Sequence, residues 1–396
     1  MGKKKIVIAG GGFAGLSAVQ EFLRQKEIRA EYEIILIDEK AHSEFLPLIP
    51  DIVAGWLRPE SVRVSFRTVA KKYACTFIQA SIRNIDLRGR RIELDERTIT
   101  YDYLIIGTGG KPNFFGNVTL REQCATLNTV DDALRIRRWL SQRAVPKTPV
   151  NVVIIGGGYT GIETATNSHY CIEQREAEPY LWLVEKQPEI LSMVPGWLRD
   201  YVEQELPKLG ITVLTNDSLE SVDGGTVRFA SGKQIDDCLC IWSAGITLPS
   251  CLQTVPGTRK RGRIAVDTFL SLSDAGFPQV FVAGDAAAFT DTRTNEPLRM
   301  AVMFAQAQGT AAARNICRSI YKKSWKPFRP HDLGYLIPLT YRKGPGVVLG
   351  RKTGPVTGYF LHYLMCFYRS DGGNRKRLLH DLLVYRLLRR SVPPSE

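Results

Sequence analysis

The feature of the sequence that most constrains its fold is a glycine pattern, G-x-G-x-x-G, at Gly10, Gly12 and Gly15. The pattern directly follows a short apolar run at residues 6–8, which is typical of a buried parallel strand. Gly10 allows a tight turn, Gly12 lets the backbone approach a pyrophosphate, and Gly15 lets the following helix pack closely on the strand. The pattern therefore predicts a strand, a phosphate-binding turn and a helix, in that order.

The residues after this turn complete a dinucleotide-binding unit. Residues 16–24 have helical character, and residues 33–37 form a second apolar strand that ends at Asp38 and Glu39. The free N–H groups and partial positive charge at a helix N-terminus favour phosphate groups, and an acid after the second strand is expected to bind a ribose. One glycine pattern alone is weak evidence, and a structural glycine turn in another α/β protein is the alternative. The ordered series of elements favours a dinucleotide site.

The same series occurs a second time. Residues 150–155 are an apolar strand, and the glycine pattern that follows is at Gly156, Gly158 and Gly161. A helix at 163–169 and a strand at 180–184 come next, and Glu185 ends that strand. Two complete patterns are more specific than one, and they predict two dinucleotides on two Rossmann-like domains of an α/β protein. A duplication that serves one cofactor is the alternative.

Three further apolar strands are predicted to run into segments that contain glycine. They are residues 101–106 before Thr108 and Gly109, residues 235–241 before Ala244 and Gly245, and residues 279–283 before Gly284 and Asp285. Glycine at the end of a parallel strand lets the backbone pass close to a cofactor. Gly284 and Asp285 are expected to bring a backbone N–H and a carboxylate to the ribityl chain and pyrophosphate of a flavin. Residues 300–316 predict a long alanine-rich helix that can pack close to a flat ring system.

Cysteine and histidine usage excludes other classes of site. The eight cysteines include no C-x-x-C, which favours buried thiols in a reducing compartment over a disulfide framework. The five histidines are scattered without the spacing of metal ligands, so no metal is expected.

The charge of the chain is concentrated at one end. The net charge is +13, and the residues from 318 to the C-terminus contribute sixteen Lys and Arg against four Asp and Glu. Such an excess indicates an acidic partner, either a membrane surface or nucleic acid. The same region has an apolar-aromatic run at 359–368 and leucines at helical spacing over 378–388, next to Arg386, Arg389 and Arg390. These lengths favour a helix in the membrane interface, while a helix packed on the protein body or a homodimer contact is the alternative.

No segment at the N-terminus or elsewhere predicts insertion across a membrane. The lysines at residues 3–5 and the apolar run after them imitate a signal peptide, but cleavage would destroy the first glycine pattern. No stretch reaches the roughly 18 apolar residues that a spanning helix needs. We therefore expect neither a signal peptide nor a transmembrane helix.

Together these motifs resemble those of the type II NADH dehydrogenases, single-chain NADH:quinone oxidoreductases within the two-dinucleotide flavoprotein superfamily. The resemblance covers most of the chain and rests on residues 10–15, 45–48, 54–55, 101–109, 156–163, 241–245 and 281–285 and on the basic C-terminal region. It implies FAD at Gly10, Gly12, Phe13, Ala14, Gly15, Asp38, Glu39, Lys40, Pro47, Thr108, Gly109, Gly284 and Asp285. It implies NADH at Gly156, Gly158, Tyr159, Thr160, Gly161, Glu185, Ala244 and Gly245.

The resemblance also implies a domain order. FAD-binding segments are expected at 1–114 and 263–330, an NADH-binding domain at 115–262, and a membrane-anchoring region at 331–396. The last region would bind the cytoplasmic side of a membrane peripherally, and a nucleic-acid partner is not expected.

The implied reaction passes electrons from NADH through FAD to a membrane quinone without proton pumping. Glu185 at the adenosine ribose favours NADH over NADPH, because a 2′-phosphate would face a carboxylate. Glu163 and Gln308 are the candidate catalytic residues: Glu163 matches an acid near the nicotinamide and flavin, and Gln308 is expected to hydrogen-bond a quinone oxygen. The helix departs from the family pattern A-Q-x-A-x-Q-Q-G, because residues 301–309 keep only Gln308 in register. This departure indicates a different quinone or acceptor.

Three other functions fit parts of the pattern. A dithiol reductase is disfavoured, because no cysteine occurs between Asp38 and Cys75. A sulfide:quinone oxidoreductase needs separated cysteines at the flavin; Cys124, Cys171, Cys317 and Cys366 are candidates, although buried apolar roles are favoured for them. A non-enzymatic NADH-sensing flavoprotein with a basic nucleic-acid-binding tail is the third.

Overall fold

The computed structural model describes residues 3–387, which divide into two compact units. The first unit contains the chain up to Ser43, Val64–Lys111 and Thr247–Asp332. The second contains Glu44–Arg63, Pro112–Ile246 and the chain from Leu333 onward. Residues 44–63 and the C-terminal region therefore belong to the same unit as the second glycine pattern, a grouping that the sequence did not indicate.

A six-stranded sheet forms the centre of the first unit. Its strands, in spatial order, are Ser271–Leu272, Phe277–Val282, Tyr103–Ile106, Lys4–Ala9, Tyr32–Asp38 and Thr76–Gln79. The edge strand Ser271–Leu272 is antiparallel and all other pairs are parallel. Ile6, Val7 and Ile8 are completely buried, as expected for a central strand covered on both faces.

Two long helices pack together in the first unit. The Phe13–Leu23 helix begins directly after the first glycine turn, three residues earlier than predicted, and it packs on the Val302–Ile320 helix. The approach is close at Gly309, where a Cβ atom would lie 2.0 Å from the carbonyl oxygen of Ala14. The other helical segments of this unit are Lys26–Glu31, Phe66–Tyr73, Ser250–Leu252, Ser273–Ala275 and Gly284–Ala286. Its smaller sheets contain Ile82–Asp86, Arg91–Leu94, Thr98–Thr100, Arg259–Lys260, Arg263–Ala265, Ala287–Ala288, Thr290–Asp291 and Glu296–Pro297.

A five-stranded parallel sheet forms the centre of the second unit. Its strands, in spatial order, are Ala125–Thr126, Cys238–Trp242, Pro149–Ile155, Glu178–Glu185 and Ile211–Thr215. The helical segments of this unit before residue 333 are Leu46–Leu48, Ile49–Val53, Pro59–Val62, Val118–Gln123, Val130–Arg143, Tyr159–Glu173 and Gly196–Lys208. Short strands also occur at His42–Glu44, Arg63–Ser65, Lys111–Pro112 and Ile246–Thr247. The predicted α/β class with two Rossmann-like sheets is confirmed.

One predicted strand is wrong. Residues 235–241 do not form a single strand, because Gln234–Ile235 belongs to an antiparallel sheet with Leu219–Asp223 and Thr226–Phe229, whereas Cys238–Trp242 belongs to the parallel sheet. Asp237 between them has a φ of 46°, a left-handed conformation that ends the first strand. The apolar residues on both sides of this break look like one continuous run in the sequence.

The C-terminal region of the second unit contains a small antiparallel sheet and helices. The strands are Gly334–Leu336, Gly346–Val348 and Arg351–Thr353, followed by the helices Pro355–Arg369 and Gly372–Asp381 and the π-helical segment Leu382–Leu387. Arg389 and Arg390, together with the last leucine of the predicted helix, lie outside the described residues. Within residues 3–387, no helix combines the length and the apolar character that crossing a membrane requires.

Candidate functional site

The first glycine turn has the geometry that its sequence predicts. Gly10 has a φ of 104°, and a Cβ atom there would lie 2.5 Å from the carbonyl oxygen of Gly107, so only glycine fits. A Cβ atom at Gly15 would lie 1.9 Å from the carbonyl oxygen of Gly10. In contrast, nothing lies within 4 Å of a Cβ atom at Gly12, where the helix begins. The turn thus presents open backbone at a helix N-terminus, which suits a phosphate group.

Asp38, at the end of the Tyr32–Asp38 strand, contacts this turn through its carboxylate. Its carboxylate oxygens accept hydrogen bonds from the backbone N–H of Gly11 at 2.7 Å and of Lys40 at 2.8 Å. Burial raises the pKa of Asp38, although both N–H groups favour its charged form. Glu39 and Lys40 are exposed, and Glu39 forms an ion pair with Lys111 at 3.4 Å. Asp38 is therefore the acid that the fold holds at the turn.

Two other strand ends of the first sheet supply polar groups. The hydroxyl of Thr108 is buried and has no hydrogen-bond partner in the protein, and Gly109 beside it has open space at its Cβ position. Burial raises the pKa of Asp285, while Arg263 opposes this shift. A buried unpaired hydroxyl and a buried carboxyl next to an open glycine turn fit a polar ligand that extends along this edge of the sheet.

Gln308 is a buried residue of the Val302–Ile320 helix, and its side chain forms a hydrogen bond with the backbone of Gly284. The carboxamide oxygen accepts a hydrogen bond from the N–H of Gly284 at 2.7 Å. The N–H of Gly284 is therefore engaged within the protein, and the expected contact of Gly284 and Asp285 with a flavin stays a prediction. The same bond orients the carboxamide of Gln308, whose NH₂ group can act as a donor to another group.

The second glycine turn repeats the first almost exactly in its backbone. Gly156 has a φ of 111°, and a Cβ atom there would lie 3.0 Å from the backbone of Ser243 and Ala244. A Cβ atom at Gly161 would lie 1.9 Å from the carbonyl oxygen of Gly156, and Gly158 has open space. The Tyr159–Glu173 helix begins at this open position, with Thr160 exposed in its first turn. This turn also suits a phosphate group.

Glu185 has the same relation to the second turn that Asp38 has to the first. Its carboxylate accepts hydrogen bonds from the N–H of Gly157 at 2.7 Å and of Gln187 at 2.9 Å. On the other side of the central strand, Ala244 is half-buried and Gly245 is exposed with a φ of 85°. The structure therefore brings Gly156, Gly158, Gly161, Glu185, Ala244 and Gly245 to one edge of the second sheet.

Glu163 lies two residues after the second glycine turn. Although part of the residue is exposed, protein surrounds its carboxyl group, and the loss of hydration raises the pKa to about 8. Tyr363 and Cys366 on the Pro355–Arg369 helix are close enough that the charge of Glu163 raises their pKa values further. Burial lowers the pKa of His362 on the same helix to about 4. A carboxyl group that is mostly protonated at neutral pH can hold a proton.

A buried cluster in the second unit was not predicted. Asp51 accepts hydrogen bonds from the hydroxyl of Tyr363 at 2.9 Å and from the guanidinium of Arg386. The guanidinium carbon of Arg386 lies 3.6 Å from the ring centroid of Trp56. Arg386 was expected to serve an acidic surface, but it is buried in an ion pair and a cation–π contact. Positions more than 300 residues apart give no local sequence signal of this pairing.

Pro47 and the cysteines lie in well-packed parts of the structure. Pro47 lies half-buried in the Leu46–Leu48 helix of the second unit, and its contact with FAD stays a prediction. Among the described residues, no cluster of three or more His, Cys, Asp or Glu side chains could hold a metal ion. Seven of the eight cysteines are buried and Cys75 is half-buried, as expected for thiols in a packed interior.

Two Rossmann-like sheets, each with its own glycine turn and its own acid, define a protein of the two-dinucleotide class. The family model for pyridine nucleotide-disulphide oxidoreductase matches residues 4–309. The chain therefore belongs to the pyridine nucleotide-disulphide oxidoreductase family.

Individual relatives and solved structures are similar to this chain over most of its length. The type II NADH:quinone oxidoreductase of Staphylococcus aureus is 26% identical over 377 residues, which cover 90% of this chain and 92% of the relative. The protein of the same name from Haemophilus influenzae is also 26% identical, with 85% of each chain covered. NDH2 from Plasmodium falciparum in complex with NADH has the same fold over 100% of both chains, with a TM-score of 0.86 and 17% identity. A sulfide:quinone oxidoreductase from Aquifex aeolicus gives a TM-score of 0.76 at 18% identity over 97% of this chain and 94% of that chain.

Proposed function

We propose that the chain is an FAD-dependent NADH:quinone oxidoreductase that does not pump protons. The observation that carries this proposal is the presence of two complete dinucleotide turns, each on its own parallel sheet. The curated relatives over most of the chain have the name type II NADH:quinone oxidoreductase, in agreement with the resemblance found in the sequence. One nucleotide turn would serve a bound flavin and the other a nicotinamide substrate.

In this proposal the first unit holds FAD. When bound, FAD accepts a hydride and passes electrons on, chemistry that no side chain supplies. The open backbone at Gly12 and the helix that begins there would face the pyrophosphate. The unpaired hydroxyl of Thr108 would gain a partner, and Asp38 and Asp285 would meet the hydroxyl groups of the ligand. The buried polar atoms of this edge thus fit the proposed group.

The second unit would bind NADH at the turn of residues 156–161. Two backbone N–H groups fix the carboxylate of Glu185, so it cannot easily turn away from a ligand. A 2′-phosphate on the adenosine ribose would meet this charge, and this repulsion favours NADH over NADPH. Gly245 lies on the opposite side of the central strand and would approach the other half of the nucleotide.

Glu163 and Gln308 would assist at the reacting groups. With a pKa of about 8, Glu163 holds a proton at neutral pH two residues after the turn that would bind NADH, where it would influence the nicotinamide pocket. The N–H of Gly284 donates to the carboxamide oxygen of Gln308 and orients the group. The NH₂ group of Gln308 would then donate a hydrogen bond to a quinone oxygen. Residues 301–309 keep only Gln308 of the three family glutamines, so the acceptor would be recognised with fewer polar groups.

The reaction is tested by oxidation of NADH by the purified flavoprotein with quinone analogues as acceptors. We expect NADH to bleach the flavin absorbance and quinone to restore it, with NADPH much slower. If NADH does not bleach the flavin, the proposed function is wrong. Bleaching by sulfide that depends on Cys124, Cys171, Cys317 or Cys366 would instead support the sulfide:quinone alternative.

The C-terminal region would attach the enzyme peripherally to the cytoplasmic side of a membrane. On the Pro355–Arg369 helix, Val356, Phe360, Leu364 and Tyr368 recur every four residues and are each 49% to 65% exposed. Residues at this spacing lie on one helix face. Leu379, Leu383, Lys376 and Arg377 on the following segments are also exposed. An apolar face next to basic residues suits the interface of an anionic membrane, where each basic residue adds about 1 kcal/mol.

Membrane attachment is tested by flotation with vesicles that contain anionic lipid. We expect Leu364→Glu to abolish flotation, because it places a charge on the apolar face. Leu349→Glu is the matched control, since Leu349 is 70% exposed but lies outside this face, and it should float like the wild type. Unchanged flotation of Leu364→Glu would contradict the membrane proposal. If that variant instead converts a dimer into monomers, the face is a homodimer contact.

A further inference from the structure

Phe115 is an exposed aromatic residue in an unfavourable backbone conformation. Its side chain is 72% exposed, and its φ of 50° lies in the left-handed region, which is costly for a residue with a Cβ atom. The sequence places it in a connecting segment between two predicted elements and gives no sign of this conformation. A strained residue that keeps a large apolar ring in solvent indicates a functional role.

The segment around Phe115 is held in place by polar contacts. The side chain of Asn113 accepts a hydrogen bond from the N–H of Phe115 at 2.9 Å. The carbonyl oxygen of Asn113 accepts one from the indole N–H of Trp242 at 3.0 Å, and the N–H of Asn113 donates to the carbonyl oxygen of Gly245 at 3.2 Å. The neighbouring Phe114 is buried and stacks on Trp242, with ring centroids 5.4 Å apart. These contacts stabilise the strained conformation of Phe115.

The ring of Phe115 lies beside the end of the Cys238–Trp242 strand. A Cβ atom at Gly245 would lie 3.2 Å from the Cζ atom of Phe115, and the rings of Phe115 and Trp242 meet edge to face at 6.4 Å. A side chain larger than hydrogen at position 245 would therefore crowd the ring. The ring and Gly245 form one surface at the carboxyl edge of the second sheet.

The order of strands decides which half of a dinucleotide would reach this surface. Pro149–Ile155 is central, with Glu178–Glu185 on one side and Cys238–Trp242 on the other. A dinucleotide on this fold crosses the central strand at its pyrophosphate, over the glycine turn. With the adenosine ribose at Glu185, the nicotinamide half extends towards Gly245 and Phe115.

We propose that Phe115 is a binding residue that stacks on the nicotinamide half of the nucleotide bound by the second unit. This inference rests on the proposed NADH site and adds a residue to it. An aromatic face favours a flat heterocycle, and the loss of one such stack weakens binding. The strain at Phe115 is then the cost of presenting the ring to the ligand.

Equilibrium binding to the flavin-loaded protein tests this role with two ligands. NAD⁺ carries both halves, whereas ADP-ribose lacks the nicotinamide ring; calorimetry or the fluorescence of the protein measures each. We expect Phe115→Ala to weaken NAD⁺ binding by about tenfold and ADP-ribose binding by less than about twofold. Phe115→Tyr should keep wild-type affinity for NAD⁺, because it retains the ring.

Two further variants separate binding from folding. Phe115→Gly removes the ring but suits a positive φ, so it should bind NAD⁺ as weakly as Phe115→Ala while melting at or above the wild-type temperature. Val118→Ala is the matched control, since Val118 is 59% exposed nearby, and it should change neither property.

Equal loss of affinity for both ligands in Phe115→Ala, or no loss for either, would overturn the inference. Lower melting temperatures of Phe115→Gly with unchanged affinities would also overturn it, because they would assign Phe115 a structural role. If the wild-type protein binds neither ligand, the proposed NADH site itself is wrong, and this result is distinct from any effect of Phe115.

Discussion

The two glycine turns of the chain have the same backbone but different surroundings. Gly10 and Gly156 have φ values of 104° and 111°. A Cβ atom added at Gly15 or Gly161 would lie 1.9 Å from a carbonyl oxygen. The N–H of the residue after the first motif glycine, Gly11 in one turn and Gly157 in the other, donates to the acid of the next strand at 2.7 Å. A motif of six residues thus determines the local fold completely, including the contact with a distant carboxylate.

The differences between the two turns come from residues outside the motif. Beside the first turn, the hydroxyl of Thr108 has no partner, whereas beside the second the hydroxyl of Ser243 donates to the carbonyl oxygens of Ile155 at 2.8 Å and Gly156 at 3.3 Å. Two residues after each turn, the chain has Ser17 in one unit and Glu163 in the other. We infer that the motif creates a phosphate site, while neighbouring strands decide what else is bound and what chemistry follows.

The largest expected effect comes from adding a methyl group at the most closely packed glycine of each turn, Gly15 or Gly161. Gly15→Ala should abolish FAD retention, and Gly161→Ala should leave FAD bound but abolish NADH-dependent bleaching, because each Cβ atom would meet a carbonyl oxygen at 1.9 Å. Flavin absorbance after gel filtration measures the first effect, and NADH titration measures the second. Gly372→Ala is the control outside both turns, because nothing lies within 4 Å of a Cβ atom at that position. Loss of FAD in Gly161→Ala with a correctly folded protein would exchange the roles of the two units.

The second prediction concerns Glu163, whose counterpart two residues after the first turn is Ser17. Because the pKa of Glu163 is about 8 in the folded protein and 4.5 is its ordinary value, the folded state binds more protons between these pH values. Stability should therefore fall as the pH rises from about 4.5 to about 8, and Glu163→Gln should lack this contribution. Since part of the residue is exposed, we expect a difference of about 1–3 kcal/mol rather than the full shift at about 1.4 kcal/mol per unit.

Urea unfolding of Glu163→Gln and the wild type at pH 5 and pH 8.5 measures this contribution. The advantage of Glu163→Gln should increase with pH, and Ser17→Ala should show no such dependence. Equal pH profiles of the two proteins would mean that the carboxyl group is hydrated after all.

A smaller effect is expected from the acid of the second turn. Glu185→Gln keeps one acceptor for the N–H groups of Gly157 and Gln187 but removes the charge that a 2′-phosphate would meet. We expect the preference of kcat/KM for NADH over NADPH to fall by about tenfold, equivalent to about 1.4 kcal/mol. Asp38→Asn, the corresponding change at the first turn, should leave the preference unchanged. An unchanged preference in Glu185→Gln would place the adenosine ribose elsewhere.

The smallest expected effect distinguishes the two hydroxyl groups. Ser243→Ala should destabilise the protein by about 1 kcal/mol, because it removes the hydrogen bonds to Ile155 and Gly156. Thr108→Val removes no bond within the protein, so stability without flavin should not fall, but flavin should dissociate faster. Thermal unfolding and flavin release measure these effects. Loss of stability in flavin-free Thr108→Val would show that its hydroxyl has a partner in the protein.

Local patterns predicted the geometry of both glycine turns. Gly10, Gly156, Asp38 and Glu185 all occupy the places that their spacing indicates, because strand, turn and helix follow one another without a gap. The prediction failed where two elements share one apolar run, at residues 235–241, since a change of sheet at Asp237 leaves the hydrophobic pattern unbroken. Local periodicity shows that residues are buried, but not in which sheet.

By itself, the sequence determined the α/β class, the two glycine turns and the acids that close onto them, because short-range sterics and strand periodicity are sufficient for these features. Only the tertiary structure decided that Arg386 pairs with Asp51 inside the protein, that Gln308 is held by Gly284, and that the pKa of Glu163 is raised. These properties depend on desolvation and on contacts between distant segments. They arise only when the chain has folded and brought those segments together.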